Sequence, residues 1–340
     1  MWFVIYLLIV LVVIIATCKY YFGTTTWCKN DVKLHGKTVI ITGGNMGLGK
    51  ATALDLASRG AKVIIASRNG EKAKDTITEI KEKTGNQNIH YMYLNLIDLD
   101  SVRQFAKEFL QKEARLDILI NNAGIGDWSY RTLGRQTKQG FNLVFGVNHL
   151  GHFLLTFLLL DILKNTGNAR IINVSSLRHL WRRRPFSFDK GPSSDGTLYP
   201  DLCGYSGSKL ANLMHVKALS KMLKDEEFPG LDSTSYAAGT SVTANSVHPG
   251  LANTDIVTGP FKDILPGCFY FIVDSFLRFC SLDANAGAQT IIYASVEESL
   301  KTVTGKHLGH CQYAMENKLA QDAAACQHLW EYSLKICGLK

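Results

Sequence analysis

The sequence predicts an α/β fold: a single doubly wound domain in which a parallel β-sheet is covered by helices on both faces. Short runs dense in Val and Ile recur along the chain, and each is followed by a helical pattern. Strands buried on both faces read as continuous apolar runs, because crossovers between parallel strands lay helices over the sheet. A glycine-rich turn, Thr42-Gly43-Gly44-Asn45-Met46-Gly47-Leu48-Gly49, stands directly between the first strand and the first helix. Residues 37–315 contain no internal repeat, low-complexity tract or linker, so they form one domain.

In order, Thr38-Val39-Ile40-Ile41-Thr42 is the first strand, and a helix is expected over 47–59. Lys62-Val63-Ile64-Ile65-Ala66 is the second strand, and a charged helix over 71–83 comes after it. Residues 90–94, 116–120 and 170–174 read as further strands separated by helical patterns. Gly-, Ser- and Thr-rich text across 225–241 is a loop before a strand at 242–247, and 316–340 is a C-terminal helical tail. Ahead of the domain, residues 2–16 are wholly apolar and lead to Lys19-Tyr20-Tyr21-Phe22. That is about the minimum for a bilayer span. No basic region precedes the run and no small-residue cleavage site comes after it, so a retained anchor over 1–22 is expected, with 23–36 as linker. Lys19 and Lys29 place the folded domain on the cytosolic side.

Tyr205-Ser206-Gly207-Ser208-Lys209 opens another helix. Residues four apart share a helix face, so Tyr205 and Lys209 lie one above the other. A phenol titrates near about pH 10 and exchanges protons poorly at neutrality. An ammonium one turn away favours the phenolate and suits the pair to general acid/base work.

The glycine turn opens a helix whose free N–H groups suit a pyrophosphate, with Gly43, Asn45, Met46, Gly47, Leu48 and Gly49 against it. Its spacing is G-x-x-x-G-x-G rather than G-x-G-x-x-G. At the end of the second strand stand Ser67-Arg68-Asn69, with no carboxylate for ribose hydroxyls. An Arg there accommodates a 2′-phosphate, so NADP(H) is the expected cofactor, with Ser67 and Arg68 on it.

The eight cysteines form no CxxC and no Cys/His cluster, which argues against a zinc site or disulfide scaffold and for a reducing compartment. His149 and His152 are three apart with no third ligand, so they read as packed, hydrogen-bonded histidines, and no metal is expected. The net charge of +8 suits an anionic cofactor or a membrane surface. No basic helix with interleaved aromatics is present, and nucleic acid is not an expected partner.

Five motifs stand in order: Thr42 to Gly49; Asn121-Asn122-Ala123-Gly124; Asn148 in Gly146-Val147-Asn148-His149; Ser175 after Ile172-Asn173-Val174; and Tyr205 with Lys209. Over about residues 35–310 this pattern resembles the short-chain dehydrogenase/reductase family. The text around His149, the N-terminal anchor and Ile65-Ala66-Ser67-Arg68 are similar to the membrane-bound retinol dehydrogenases. The resemblance implies a Rossmann domain and four catalytic roles. Tyr205 exchanges a proton with the substrate oxygen, and Ser175 hydrogen-bonds that oxygen. Lys209 lowers the Tyr205 pKa and holds the nicotinamide ribose, and Asn148 anchors a relay water. It also implies cofactor contacts from Asn122, Ala123, Gly124, Tyr205 and Lys209, and from a nicotinamide-side loop of Pro249, Gly250 and Thr254. Where this group has an Asp beside adenine, Asn95 stands before Leu96, and its carbonyl still offers an acceptor.

The resemblance also implies a substrate lid at about 255–282, within which 268–279 is rich in Phe. That stretch is either an ordinary core helix or a face resting in the membrane interface. The basic stretch from Arg178 to Arg184 is either a solvated loop or a membrane-facing edge. The expected function is a membrane-anchored, NADP(H)-dependent oxidoreductase interconverting an apolar alcohol and its aldehyde or ketone, retinol/retinal first and a steroid or an isoprenoid or fatty alcohol next. A catalytically idle NADP-binding membrane scaffold is the alternative of another class. The expected location is the endoplasmic reticulum membrane with the domain facing the cytosol, and the partners are substrate, membrane lipid and, as an open option, a second copy of the chain. If Arg68 forks onto a 2′-phosphate, Arg68→Ala will weaken NADPH by about 1.5–3 kcal/mol and NADH far less. Titration of both cofactors measures this, and equal losses contradict it.

Overall fold

In the computed structural model, β1 (Thr38–Thr42) lies inside an eight-stranded sheet of order β3-β2-β1-β4-β5-β6-β7-β8. The structure describes residues 23–126, 135–186, 204–225, 241–252 and 267–340, with a few positions between 6 and 20. β2 (Lys62–Ser67), β3 (Ile89–Tyr93), β4 (Ile118–Asn121), β5 (Arg170–Val174), β6 (Thr243–His248) and β7 (His307–Gly309) run parallel with β1, and β8 (Gln312–Tyr313) is antiparallel to β7. The chain builds outward from β1 to β3, then returns past β1 to β4. Ligands bind outside the strand ends at such a reversal.

The helices are α1 (Gly47–Ser58), α2 (Gly70–Thr84), α3 (Leu99–Lys112), α4 (Leu143–Leu158), α5 (Leu160–Thr166), α6 (Tyr205–Asp225), α7 (Gly267–Cys280), α8 (Ala284–Val296) and α9 (Ala323–Ile336). Alternation along β1 sends Ile40 into one apolar cluster and Val39 with Ile41 into the other. The first cluster holds Phe105 and Phe109 of α3, Phe145 and Phe153 of α4 and Trp330 of α9. The second holds Leu56 of α1, Ile80 of α2 and Ile291 of α8. Trp330 meets Phe153 edge-on, with ring centroids 4.8 Å apart. Within the C-terminal stretch, α9 buries its apolar side in the core.

Expected and observed strands coincide at β1 and β5 and differ by a residue or two elsewhere. β7 and β8 are additions: strands this short carry no readable alternation. Residues 226–240 of the expected loop at 225–241 and most of the expected anchor at 1–22 fall outside the described residues. Among the described residues no single helix is long and apolar enough to cross a membrane. α4 and α5 pass by composition only as a pair bent by 52°, and the Phe145 and Phe153 side chains of α4 are core.

The interior also holds histidine rings. Burial holds His149 at a pKa of about 3, His152 and His248 at about 4 and His307 at about 2, against an ordinary 6.5. His215 is likewise pushed well down by burial. Below about pH 6.5 the unfolded chain takes up protons that the native one refuses, so stability falls with pH, by about 1.4 kcal/mol per unit for each such ring. The urea midpoint should hold above pH 7 and drop steadily from pH 6.5 to 5. A flat midpoint over that interval contradicts the buried neutral rings.

Candidate active site

The end of β1 and the turn after it form a surface that only bare backbone allows. Gly43 has φ +65°, and a Cβ on Gly49 would lie 2.4 Å from the Gly43 carbonyl oxygen and 2.6 Å from Asn122 Nδ2. Thr76 Oγ1 donates to the Asn45 carbonyl at 3.0 Å and ties the turn to α2. Met46 is the N-cap of α1 and supplies no side-chain cap, so the N–H groups of that turn are left for an anion. Leu48 is half-buried against the second apolar cluster. At the adjacent end of β2, Ser67 is buried and Arg68 is exposed. A glycine surface, an uncapped helix and an exposed cation fit a dinucleotide phosphate group.

Thr42 joins this surface to the next motif. Its hydroxyl oxygen accepts the backbone N–H of Asn122 at 2.8 Å and of Ala123 at 2.9 Å. Asn122 Nδ2 donates back to the Thr42 carbonyl at 2.9 Å. Thr42 Oγ1 lies 2.8 Å from His152 Nε2, and His152 Nδ1 lies 3.0 Å from the Asn148 carbonyl oxygen. A carbonyl only accepts, so Nδ1 carries the proton and Nε2 receives the Thr42 hydroxyl hydrogen. Burial keeps that ring neutral.

Asn148 sits in a π turn, Gly146–Leu150, within α4. Such a wide turn frequently marks a functional site. Its Oδ1 accepts the Ile125 N–H at 2.9 Å, and its Nδ2 donates to the Ile125 carbonyl and to Ser208 Oγ, each at 2.9 Å. Ser208 Oγ in turn donates to the Tyr205 carbonyl at 2.8 Å. A Cβ on Gly124 would lie 3.3 Å from Lys209 Nζ and 3.4 Å from Asn148 Oδ1. Glycine at 124 thus lets the two groups converge.

Lys209 is buried, and its Nζ donates to the Val174 carbonyl at 2.9 Å, 5.5 Å from the centre of the Tyr205 ring. Burial pushes the ammonium pKa down to about 8, so most of it stays charged at neutral pH. Ser175 Oγ donates to the Lys209 carbonyl at 2.7 Å. The structure thus brings Asn148, Ser175, Tyr205, Lys209 and Gly124 together. It also places Arg178 with its guanidinium carbon 5.8 Å from the Tyr205 ring centre; nothing in the basic run singled that residue out. His152 had a readable signal, since it stands one helical turn beyond Asn148.

Asn95 Oδ1 accepts the Ile97 N–H at 3.2 Å and so shapes its own turn. Leu96 is buried against Gly151. Gly250 has φ +74°, and its N–H donates to His248 Nδ1 at 3.2 Å. Pro249 is half-buried beside it, and Thr254 falls outside the described residues. His149 Nε2 meets Ser333 Oγ at 3.0 Å, so His149 and His152 are hydrogen-bonded core rings.

Arranged this way, the fold and site define an α/β oxidoreductase that takes a nicotinamide dinucleotide. A family model described as short chain dehydrogenase matches residues 37–183. Retinol dehydrogenase 11 of Mus musculus is 38% identical over 312 residues, 92% of this chain and 90% of that protein. Retinol dehydrogenase 13 of Homo sapiens is 37% identical over 320 residues, 92% of this chain and 88% of that protein. A solved structure of an uncharacterized protein from Mycobacterium Paratuberculosis aligns with TM-score 0.67 at 30% identity, covering 92% of this chain and 98% of that one. The chain belongs to the short-chain dehydrogenase family, in its retinol dehydrogenase group.

Removing either end of the Thr42–His152 bond leaves a buried polar partner unmet. His152→Leu should destabilise by about 1–3 kcal/mol, and Thr42→Val, which also strips the acceptor from the Asn122 and Ala123 N–H groups, by more. In the double variant the losses should overlap, with a coupling of about 0.5–3 kcal/mol. Unfolding in urea measures the cycle, and strictly additive losses contradict the bond.

Proposed function

We propose that the protein is a membrane-anchored, NADP(H)-dependent enzyme interconverting an apolar alcohol and its carbonyl, with retinol/retinal the first pair to test. The convergence of Tyr205, Lys209, Ser175 and Asn148 beside the Val174 strand end carries the reading. Relatives named retinol dehydrogenase support the substrate class. The exposed Arg68, with no carboxylate in Ser67-Arg68-Asn69, supports NADP(H) over NAD(H).

A bound nicotinamide, held by the glycine turn and Lys209, would supply or take up the hydride at the carbon bearing the substrate oxygen. The chain manages the proton. Tyr205 donates to the carbonyl oxygen in reduction and accepts from the alcohol in oxidation. Lys209, charged and fixed by the Val174 carbonyl, favours the anionic form of the phenol. The Ser175 hydroxyl bonds the Lys209 carbonyl in this structure, and a rotation about its Cα–Cβ bond presents it to the charge that develops on the substrate oxygen. Asn148 holds the backbone of Ile125 and, through Ser208, the first turn of α6. The apolar run at 2–16 supports a membrane anchor, for which the endoplasmic reticulum is the first membrane to test, and Lys19 and Lys29 favour the domain in the cytosol.

Tyr205→Phe should lower turnover of retinal with NADPH by more than about a hundredfold while leaving NADPH binding intact. Lys209→Ala should damage both. Steady-state rates and a cofactor titration read these out, and normal turnover in Tyr205→Phe overturns the mechanism.

A further inference from the structure

We propose that the outer face of α7 is a membrane-docking surface, resting in the interface of the same bilayer that receives the N-terminal apolar run. The proposal rests on the anchoring proposed above and adds a second contact to it.

α7 does not bury its aromatic side. Phe269, Phe271, Ile272, Phe276 and Phe279 are between 39% and 71% exposed. Positions 269, 272, 276 and 279 are spaced three, four and three apart, which makes one stripe along a helix. The opposite side, Tyr270, Val273 and Leu277, is half-buried, and Cys280 is buried. By the size of these side chains the exposed patch covers on the order of 500 Å², comparable with the largest patch on a typical soluble monomer. An amphipathic helix with Phe outward and cations at its margin is the form that lies in a lipid interface.

The position of the chain ahead of the domain identifies the occupant. Lys19 Nζ donates to the Phe279 carbonyl at 2.8 Å and lies 5.2 Å from the Phe279 ring centre. The apolar run ends only at Ala16, so the segment that enters lipid begins beside the last turn of α7. A bilayer that holds residues 2–16 therefore lies against the Phe stripe. Two cations stand at this margin. A cleft of about 450 Å³ is lined by Lys19 and Trp27 on one side and, from the end of α7 to the start of α8, by Arg278, which is paired with Asp274, and by Asp283. Trp27 is exposed on its wall, and Trp is favoured at head-group depth. α7 also leads directly to the site: Leu282 N–H donates to the Leu251 carbonyl at 2.8 Å, next to Pro249-Gly250.

The test needs no catalysis, so its failure is separate from failure of the proposed activity. The full chain is reconstituted in phosphatidylcholine vesicles with radiolabelled lipid, carrying the photoreactive benzoylphenylalanine in place of Phe271, of Ile272 or of Tyr93. Tyr93 is exposed at the end of β3, the far edge of the sheet, and serves as reference. All three positions are exposed, so folding should survive, and thermal unfolding verifies it. Illumination should attach lipid at 271 and 272 several times more often than at 93. Equal lipid yields at the three positions overturn the proposal. So does attachment of a second copy of the chain at 271 and 272 in place of lipid.

Discussion

The hydroxyl of Thr42 holds three separate pieces of the chain at one point. It receives the Asn122 and Ala123 N–H groups and gives its own hydrogen to His152. Through His152 it fixes the carbonyl of Asn148. The glycine turn, the strand end at β4 and the π turn of α4 are thereby set against one another without an ionised group. This matters because Thr42 and His152 are fully buried, where a charged ring would need an ionic partner. Burial keeps the histidine neutral and so preserves its one donor and one acceptor.

One charge is kept inside by the backbone. Lys209 Nζ has the Val174 carbonyl as its anchor, and a backbone oxygen offsets part of the desolvation cost without cancelling the charge as a carboxylate would. Ser175, one residue beyond Val174, grips the carbonyl of Lys209 in return. Strand β5 and helix α6 are thus clamped at the place where Tyr205 has to be held, and Gly124 leaves the room for it.

Most of the sheet was legible because β1 and β2 each carry a Val-Ile-Ile run and β5 an Ile-Ile pair broken from Val174 only by Asn173, short β-branched stretches whose length favours strand over helix. The residues of the site were legible because its motifs are local in sequence: Tyr205 with Lys209 is one helical turn, and the glycine turn is contiguous. Contacts between distant segments left no local trace. Nothing near Trp330 or Ser333 announces that α9 closes the core behind His149. The β7 and β8 strands are too short to show a period, although they bring His307 within 4.6 Å of His179, ring centre to ring centre. Likewise the Phe-rich text of α7 reads equally as core or as surface until its register against Leu282 is known.

If the buried Tyr205–Lys209 pair serves hydride exchange between a nicotinamide and an apolar carbonyl, the hydride itself can be tracked. The full chain in vesicles is given retinal and NADPH deuterated at the transferring position of the nicotinamide ring, and the product is analysed by mass spectrometry. The product should be retinol carrying a single deuterium on the former carbonyl carbon. Retinol without deuterium, or no retinol from a folded, NADPH-binding chain, would contradict it.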